Sequence, residues 1–329
     1  MKMKNSKGYE MSQKGNGHLI SIAMATYNGE KYLREQLESI YAQTYKNIEV
    51  VVTDDCSSDK TVEILEEYAN SHGLRYYINE DNLGFVKNFE KAVNLCRGDY
   101  IALSDQDDIW LPHKLSTLIE NIGDNILACS DAKLIDEKNN IISESFFQYS
   151  NKPINEELTF EKLAICNYVT GCTVLMKNKI LQNAHPIPLN ISYHDWWYGL
   201  IASVFGGIYL HKESLILYRQ HQDNHTGAYH YAASSLLSKI FSQFTKVHFQ
   251  KRVEDGKKYV ARLQAFRSYE HFSLSQYKFL DELIYYYQSW AHIGLDFKAF
   301  GIALKYRKEL FYRTPRIFRC LAILRTLFM

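Results

Sequence analysis

Between residues 19 and 108 the chain repeats one unit: a short apolar run, a polar cluster at its end, then an apolar stripe at helical spacing. Leu19 to Ala25 is the first run, and it stops at Thr26-Tyr27-Asn28-Gly29; Leu33, Leu37, Ile40 and Tyr41 then mark a helix face. Ile48 to Thr53 runs into Asp54-Asp55, and Val62, Leu65 and Ala69 mark a second helix, closed by Gly73. Leu74 to Ile78 precedes a third stripe, Phe85, Phe89, Ala92, Val93 and Cys96, stopped by Gly98. Tyr100 to Leu103 leads directly into Ser104-Asp105-Gln106-Asp107-Asp108. Strand and helix alternating at about 25 residues per unit predict an α/β fold with a mainly parallel central sheet. The runs are unbroken rather than alternating, which predicts strands covered on both faces.

In such a sheet, ligands gather at the carboxyl ends of the strands. Thr26–Asn28, Asp54–Asp55 and Asp105–Asp108 all fall on that edge. Acids scattered over loops at random would not be confined to it. Further on, Pro112 suits the first turn of a helix running to Ile122. Strands are expected at Ile126–Ser130, near Cys172–Met176 and at Leu215–Tyr218, with a helix from Asp195 to about Phe205. From residue 230 the pattern is helical and more basic. The expected organisation is a disordered tail over 1–17, an α/β domain over 18–228 and a helical region over 229–329.

Composition narrows the classes. A net charge of +1 gives no general attraction to polyanions, so no nucleic-acid partner is expected. None of the six cysteines forms a C-x-x-C pair, which excludes the usual zinc cage and suits a reducing compartment. Residues 1–17 carry no apolar signal core, and no run reaches the roughly 20 apolar residues of a membrane helix, so a cytoplasmic location is expected. The 25 tyrosines are numerous; such rings stack on sugar C–H faces, though most are expected to serve the core.

The candidate site follows from residue chemistry. Asp105 and Asp107, one residue apart on a loop, can hold a hard divalent cation that bridges a diphosphate. Such a cation offsets the charge developing on a diphosphate leaving group. A short acidic pair is common on loops, and its place after a buried strand is what singles it out. Gln106 joins Asp105 as a donor contact. Asp54 and Asp55 can accept from a base imide or a ribose hydroxyl, although the same stretch is rich in helix-capping residues. Thr26, Tyr27 and Asn28 share that edge, where a plain turn reads equally well. Asn82 and Lys87 open the third helical stripe within reach of a donor phosphate or sugar, or form a turn around Gly84. His194-Asp195-Trp196-Trp197 supplies a carboxylate among aromatics. Desolvation raises its proton affinity, which suits Asp195 to general-base work. Trp196 and Trp197 are candidates for stacking on an acceptor sugar, against a core-facing pair behind an N-capping Asp. In Tyr218-Arg219-Gln220-His221, Arg219 is a candidate diphosphate contact and His221 a candidate third metal ligand, although a lone His is more often structural.

Taken in order, these segments resemble family 2 glycosyltransferases of the GT-A fold over roughly residues 18–225. Ala25–Gly29 with Tyr41-Ala42-Gln43-Thr44-Tyr45 is similar to the family's opening strand and helix. Glu49 to Asp59 is similar to its nucleotide-binding segment, with Cys56 where Gly or Asn is usual. Ser104-Asp105-Gln106-Asp107-Asp108-Ile109-Trp110 with Lys114 resembles the metal motif of bacterial rhamnosyltransferase-like members. The resemblance implies Asp55 on the base, Asp105 on ribose or metal, Asp107 on Mg2+ or Mn2+, and Asp195 as base in an inverting displacement. It also implies a dTDP- or UDP-sugar donor, rhamnose as the sugar, and a glycan or lipid-linked acceptor in surface polysaccharide synthesis.

Residues 305–329 interleave Lys305, Arg307, Lys308, Arg313, Arg316, Arg319 and Arg325 with Ile317, Leu321, Ile323, Leu324, Leu327 and Phe328. Such a segment either lies on an anionic membrane or packs on the α/β domain with its basic face in solvent. Three other classes compete. A sugar-nucleotide nucleotidyltransferase needs a Gly-rich basic loop after the first strand, and Thr26–Gly29 lacks it. A dinucleotide oxidoreductase needs G-x-G-x-x-G in that place, and Gly15-x-Gly17 precedes the strand. A non-catalytic sugar-binding relative would have lost an acidic site, and both are intact.

Overall fold

The computed structural model describes residues 17–152, 157–222, 246–292 and 294–312, with Arg319, Ala322, Ile323 and Thr326 beyond them. The first half follows the repeat: β1 (Ile20–Thr26), α1 (Leu33–Tyr41), β2 (Ile48–Asp54), α2 (Thr61–His72), β3 (Arg75–Ile78), α3 (Phe85–Asn94) and β4 (Tyr100–Ser104). Gly73 closes α2 at φ 72°, the left-handed cap its position predicted. Next come β5 (Ile109–Trp110), α4 (Lys114–Asn121), β6 (Leu127–Ile135), β7 (Ile141–Ser143), α5 (Phe146–Tyr149), α6 (Phe160–Ile165), β8 (Val174–Lys177), α7 (Leu181–Ala184), α8 (His194–Phe205) and β9 (Ile208–Arg219). The C-terminal helices are α9 (Lys246–Arg267), α10 (Leu274–Gln288), α11 (Phe297–Lys305) and α12 (Arg307–Leu310).

One sheet runs β3-β2-β1-β4-β8-β6-β9-β5, with β7 on the edge of β6. The β3-β2-β1-β4 half is parallel, with Thr26 level with Asp54 and Met24 level with Ser104. The polar clusters therefore end on one line. Beyond β4 the sheet is mixed: β8 lies antiparallel to β4 and β6, while β6 and β9 are parallel. Two strands, β5 and β7, were not expected. β5 sits inside the acidic motif and pairs with β9, so the loop 105–108 is anchored at both ends. β9 is longer than its apolar part because His211-Lys212-Glu213 interrupts the hydrophobic pattern, and irregularities at Asp131 absorb the mismatch.

Two cores flank the sheet. One gathers Leu33, Leu37, Ile64, Leu65 and Leu115 beneath α1, α2 and α4. The other joins Phe89 and Trp197 to Leu263, Phe266, Phe279 and Leu280 of the C-terminal helices. The described part of that helical region thus packs on α6 and α8. Lys305 of the basic segment is paired with Glu282 at 2.7 Å. Most of the segment from residue 313 onward, the tail over 1–16 and the expected boundary at 228/229 lie outside the described residues. Among the described residues no helix is long and apolar enough to cross a membrane.

Candidate active site

A cavity of about 400 Å³ opens at the carboxyl ends of β1, β2 and β4, closed on its far side by the start of α8. The loop after β1 forms one rim. Asn28 sits at φ 49° and its side-chain oxygen accepts from Ser58 N at 2.8 Å. That ties the rim to the loop after β2 and leaves Asn28 outside the cavity wall. Gln106 spans the gap to the neighbouring rim: its oxygen accepts from Tyr27 N at 2.9 Å and its nitrogen donates to Tyr27 O at 3.1 Å. Gln106 lines the cavity, but its amide is engaged in holding Tyr27, whose ring is half exposed at the mouth.

The two acids after β2 divide their work. Asp55 lines the cavity and accepts from Asn79 Nδ2 at 2.8 Å, Leu83 N at 2.8 Å and Gly84 N at 2.9 Å. It shapes the loop that brings Asn82 and Phe85 to the wall. Asp54 corrects the expectation: it is fully buried, accepts from Thr26 Oγ1 at 2.7 Å and Ser57 N at 2.8 Å, and does not line the cavity. It braces two loops. Cys56 follows at φ 63°, a region that disfavours most side chains and suits Gly or Asn. Cys56→Asn is expected to raise stability by about 1 kcal/mol, read from the urea midpoint.

The acid loop is electrostatically loaded. Burial, then the like charge of Asp107, pushes the Asp105 carboxyl up to about 7. Burial and the same neighbours push Asp108 up as well. Lys114 lies beneath, fully buried, its Nζ 3.2 Å from the Trp110 ring centre and bonded to Cys172 O at 2.5 Å; burial holds it down to about 7. Carboxyls opposing one another with so weak a counter-charge fit a divalent cation. Asp105 and Asp107 face the cavity, and His221 Nε2 lies 2.9 Å from Asp107 Oδ2. This oxygen-rich set suits Mg2+ or Mn2+. Ligand atoms of Asp105, Asp108 and Cys172 also lie within 4.8 Å of one another. Asp108 accepts from Arg219 N at 3.0 Å, burial keeps the Cys172 thiol protonated, and neither residue lines the cavity.

Opposite the acid loop stands Asp195, in the first turn of α8. Its oxygens accept from Asn167 Nδ2 at 3.1 Å, Gly171 N at 2.9 Å and Trp196 N at 2.6 Å. Burial raises its carboxyl to about 6 against those donors. Gly171 packs closely here: a Cβ would touch the Asp195 Cβ at 3.5 Å, an ordinary contact, and press on His194 Nε2 at 3.3 Å.

Four further expectations are corrected by packing. Lys87 does not reach the cavity; its Nζ is held by Glu90 at 2.6 Å and Ile187 O at 2.9 Å. Arg219 is almost fully buried, with Glu35 at 2.6 Å, Asp107 O at 2.8 Å and the Asn139 side chain around its guanidinium, so it braces the acid loop. Trp196 and Trp197 turn inward, their indole nitrogens bonded to Leu163 O and Ala184 O at 2.5 and 2.7 Å. Trp197→Ala is expected to cost about 3–5 kcal/mol of stability in chemical denaturation, the scale of a large core truncation. The rings that do line the cavity are Tyr27, Phe85, Phe89, Tyr193, His194 and Tyr218. Tyr193, two residues before Asp195, was open to discovery from its position.

Solved structures share this arrangement of elements. TarS of S. aureus, residues 1–349 in complex with UDP-GlcNAc, aligns with a TM-score of 0.54 at 15% identity, over 94% of this chain and 89% of the other. The mannosyltransferase PcManGT from Pyrobaculum calidifontis, in complex with GDP-Man and Mn2+, aligns at 0.54 and 14% identity, over 97% and 82%. The fold is that of a GT-A glycosyltransferase.

Residues 21–184 match the glycosyl transferase family 2 model. An uncharacterized glycosyltransferase of Methanocaldococcus jannaschii is 34% identical over 245 residues, 71% of this chain and 80% of its own. The dTDP-rhamnosyl transferase RfbG of Shigella flexneri is 32% identical over 219 residues, 62% and 74% of the two chains. The chain belongs to glycosyltransferase family 2 and is a glycosyltransferase that uses a nucleotide-sugar donor.

Proposed function

We propose that the chain is an inverting, divalent-cation-dependent transferase that moves rhamnose from a dTDP- or UDP-sugar to a glycan or lipid-linked acceptor in surface polysaccharide synthesis. The observation that carries the mechanism is that Asp195 and the Asp105–Asp107 pair face one another across a single cavity. Rhamnose rests on the likeness to the Shigella flexneri relative. Work in the cytoplasm at the inner face of the plasma membrane, the side on which the donor would be met, belongs to the same proposal.

Asp55, Asn82 and Tyr27 hold the base and ribose at the β1–β2 rim, and Asp105 and Asp107 hold Mg2+ or Mn2+ with His221 beside them. Such an ion, when bound, would supply positive charge against the departing diphosphate. Asp195 takes the proton of the acceptor hydroxyl as its oxygen bonds to the anomeric carbon. The bond from that carbon to the phosphate oxygen breaks, the nucleoside diphosphate leaves with the electron pair, and the anomeric centre inverts. The three donors on Asp195 fix its direction, and a proton affinity near 6 keeps it ionised yet basic at neutral pH.

The test is thermal stability with UDP, dTDP, GDP and NAD, each with and without Mn2+. Ligand at 100 times its Kd adds about 2.7 kcal/mol. A rise with UDP or dTDP that needs Mn2+ is expected. A response to NAD alone would sink the reading.

A further inference from the structure

We infer that Arg262 of α9 forms an anion site on the acceptor side of Asp195, and that the acceptor carries a phosphate group which this arginine receives. The inference rests on reading Asp195 as the base that meets the acceptor.

The guanidinium lies 4.1 Å over the Trp196 ring and 4.8 Å from the Tyr259 ring. Among the described residues its one hydrogen bond is a long one, Nη2 to Ile165 O at 3.4 Å, and its buried Nε has no partner. Among the described residues no carboxylate pairs with it. Arg219 shows how this fold treats a buried guanidinium that only braces: it is given Glu35 and carbonyl and amide oxygens on several sides. A desolvated charge left without such partners is costly, and an arriving anion removes the cost.

Location supplies the rest. Trp196 follows Asp195 in sequence. Ile165 stands two residues before Asn167, whose amide holds the Asp195 carboxylate at 3.1 Å. Tyr193, on the cavity wall, stacks with Trp196 at 6.4 Å between ring centres. Arg262 therefore sits against Trp196 and close to Tyr193, on the α8 side of the cavity where Asp195 stands. A guanidinium fork matches phosphate oxygens in pairs, and its stack on two rings holds the fork in one plane. The phosphate belongs either to an isoprenoid carrier or to a phosphodiester in the glycan.

The full chain is first filled with UDP and Mn2+, then titrated with geranyl phosphate, inorganic phosphate and neutral geranyl glucoside, following the fluorescence of the tryptophan beneath Arg262. Geranyl phosphate is expected to bind, and geranyl glucoside not. Arg262→Gln is expected to weaken geranyl phosphate at least about tenfold, the scale of a charge-assisted hydrogen bond. Arg262→Lys, which keeps the charge and guards against a folding defect, should weaken it less. UDP–Mn2+ binding should be the same in all three proteins. Inorganic phosphate binding as tightly as geranyl phosphate supports the site and assigns the phosphate to the glycan. No binding of either phosphate by the wild type, or equal binding by Arg262→Gln, overturns the inference. Failure of the wild type to bind UDP–Mn2+ instead overturns the proposed function.

Discussion

Asp195→Asn is expected to lower kcat by about 10³-fold while the donor KM stays within about threefold, because general-base catalysis contributes roughly 10²–10⁴-fold and acts only on the acceptor proton. Asn keeps the volume of the side chain and can still accept from Asn167 Nδ2 and Trp196 N, so the start of α8 should persist. The measurement is nucleoside-diphosphate release in steady state, beside donor binding by titration. Loss of donor binding together with turnover would remove the base assignment. A pH profile gives an independent reading. Asp195 must be ionised to act, and burial raises it to about 6. In the wild type kcat should therefore fall about tenfold per pH unit below that value and level off above it. The acid limb should be missing from whatever activity Asp195→Asn retains.

Asp107→Asn should be as damaging by another route. It removes one of two cavity-facing carboxylates of the proposed cation site and the partner of His221 at 2.9 Å. Loss of the cation's share in stabilising the leaving diphosphate is worth several kcal/mol, so kcat/KM is expected to fall about 10³-fold. Stabilisation by UDP should lose its dependence on Mn2+, while metal-free UDP binding at the β1–β2 rim should survive. Unchanged metal dependence in this variant would move the cation elsewhere. The electrostatics agree in sign: Asp107 raises Asp105, so removing its charge lets Asp105 ionise at lower pH.

The sheet edge was legible because it depends on two local patterns, the unbroken apolar run and the polar cluster that ends it. Thr26, Asp55, Asp105 and Asp107 were singled out that way, Asp195 instead as a carboxylate among aromatics, and all five line one cavity. What resisted reading depends on contacts distant in sequence. Asp54 and Asp55 are neighbours of one type, yet the first is the last residue of a central strand and meets Thr26 across the ladder. Nothing local distinguishes them. Arg219 ends β9 facing α1 and the β6–β7 turn, partners 184 and 80 residues away. The tryptophan pair looked like a sugar platform because Phe266, which covers it, lies on a helix some 70 residues later. The β5 strand is two residues long and is made by pairing with β9 rather than by its own sequence.

The bridge from Gln106 to Tyr27 has a consequence for how such sequences change over time. The middle position of the D-x-D triplet is usually treated as a spacer. Here its amide pairs with both backbone groups of Tyr27, and a Cβ on Gly29 would collide with it. Positions 29 and 106 therefore form one inherited unit. A larger residue at 29 would displace the Gln106 amide and break its two bonds to Tyr27, leaving the rim unsupported. The nucleotide edge and the cation edge of the cavity drift together, and a homologue that varies at one of these positions should carry a matching change at the other.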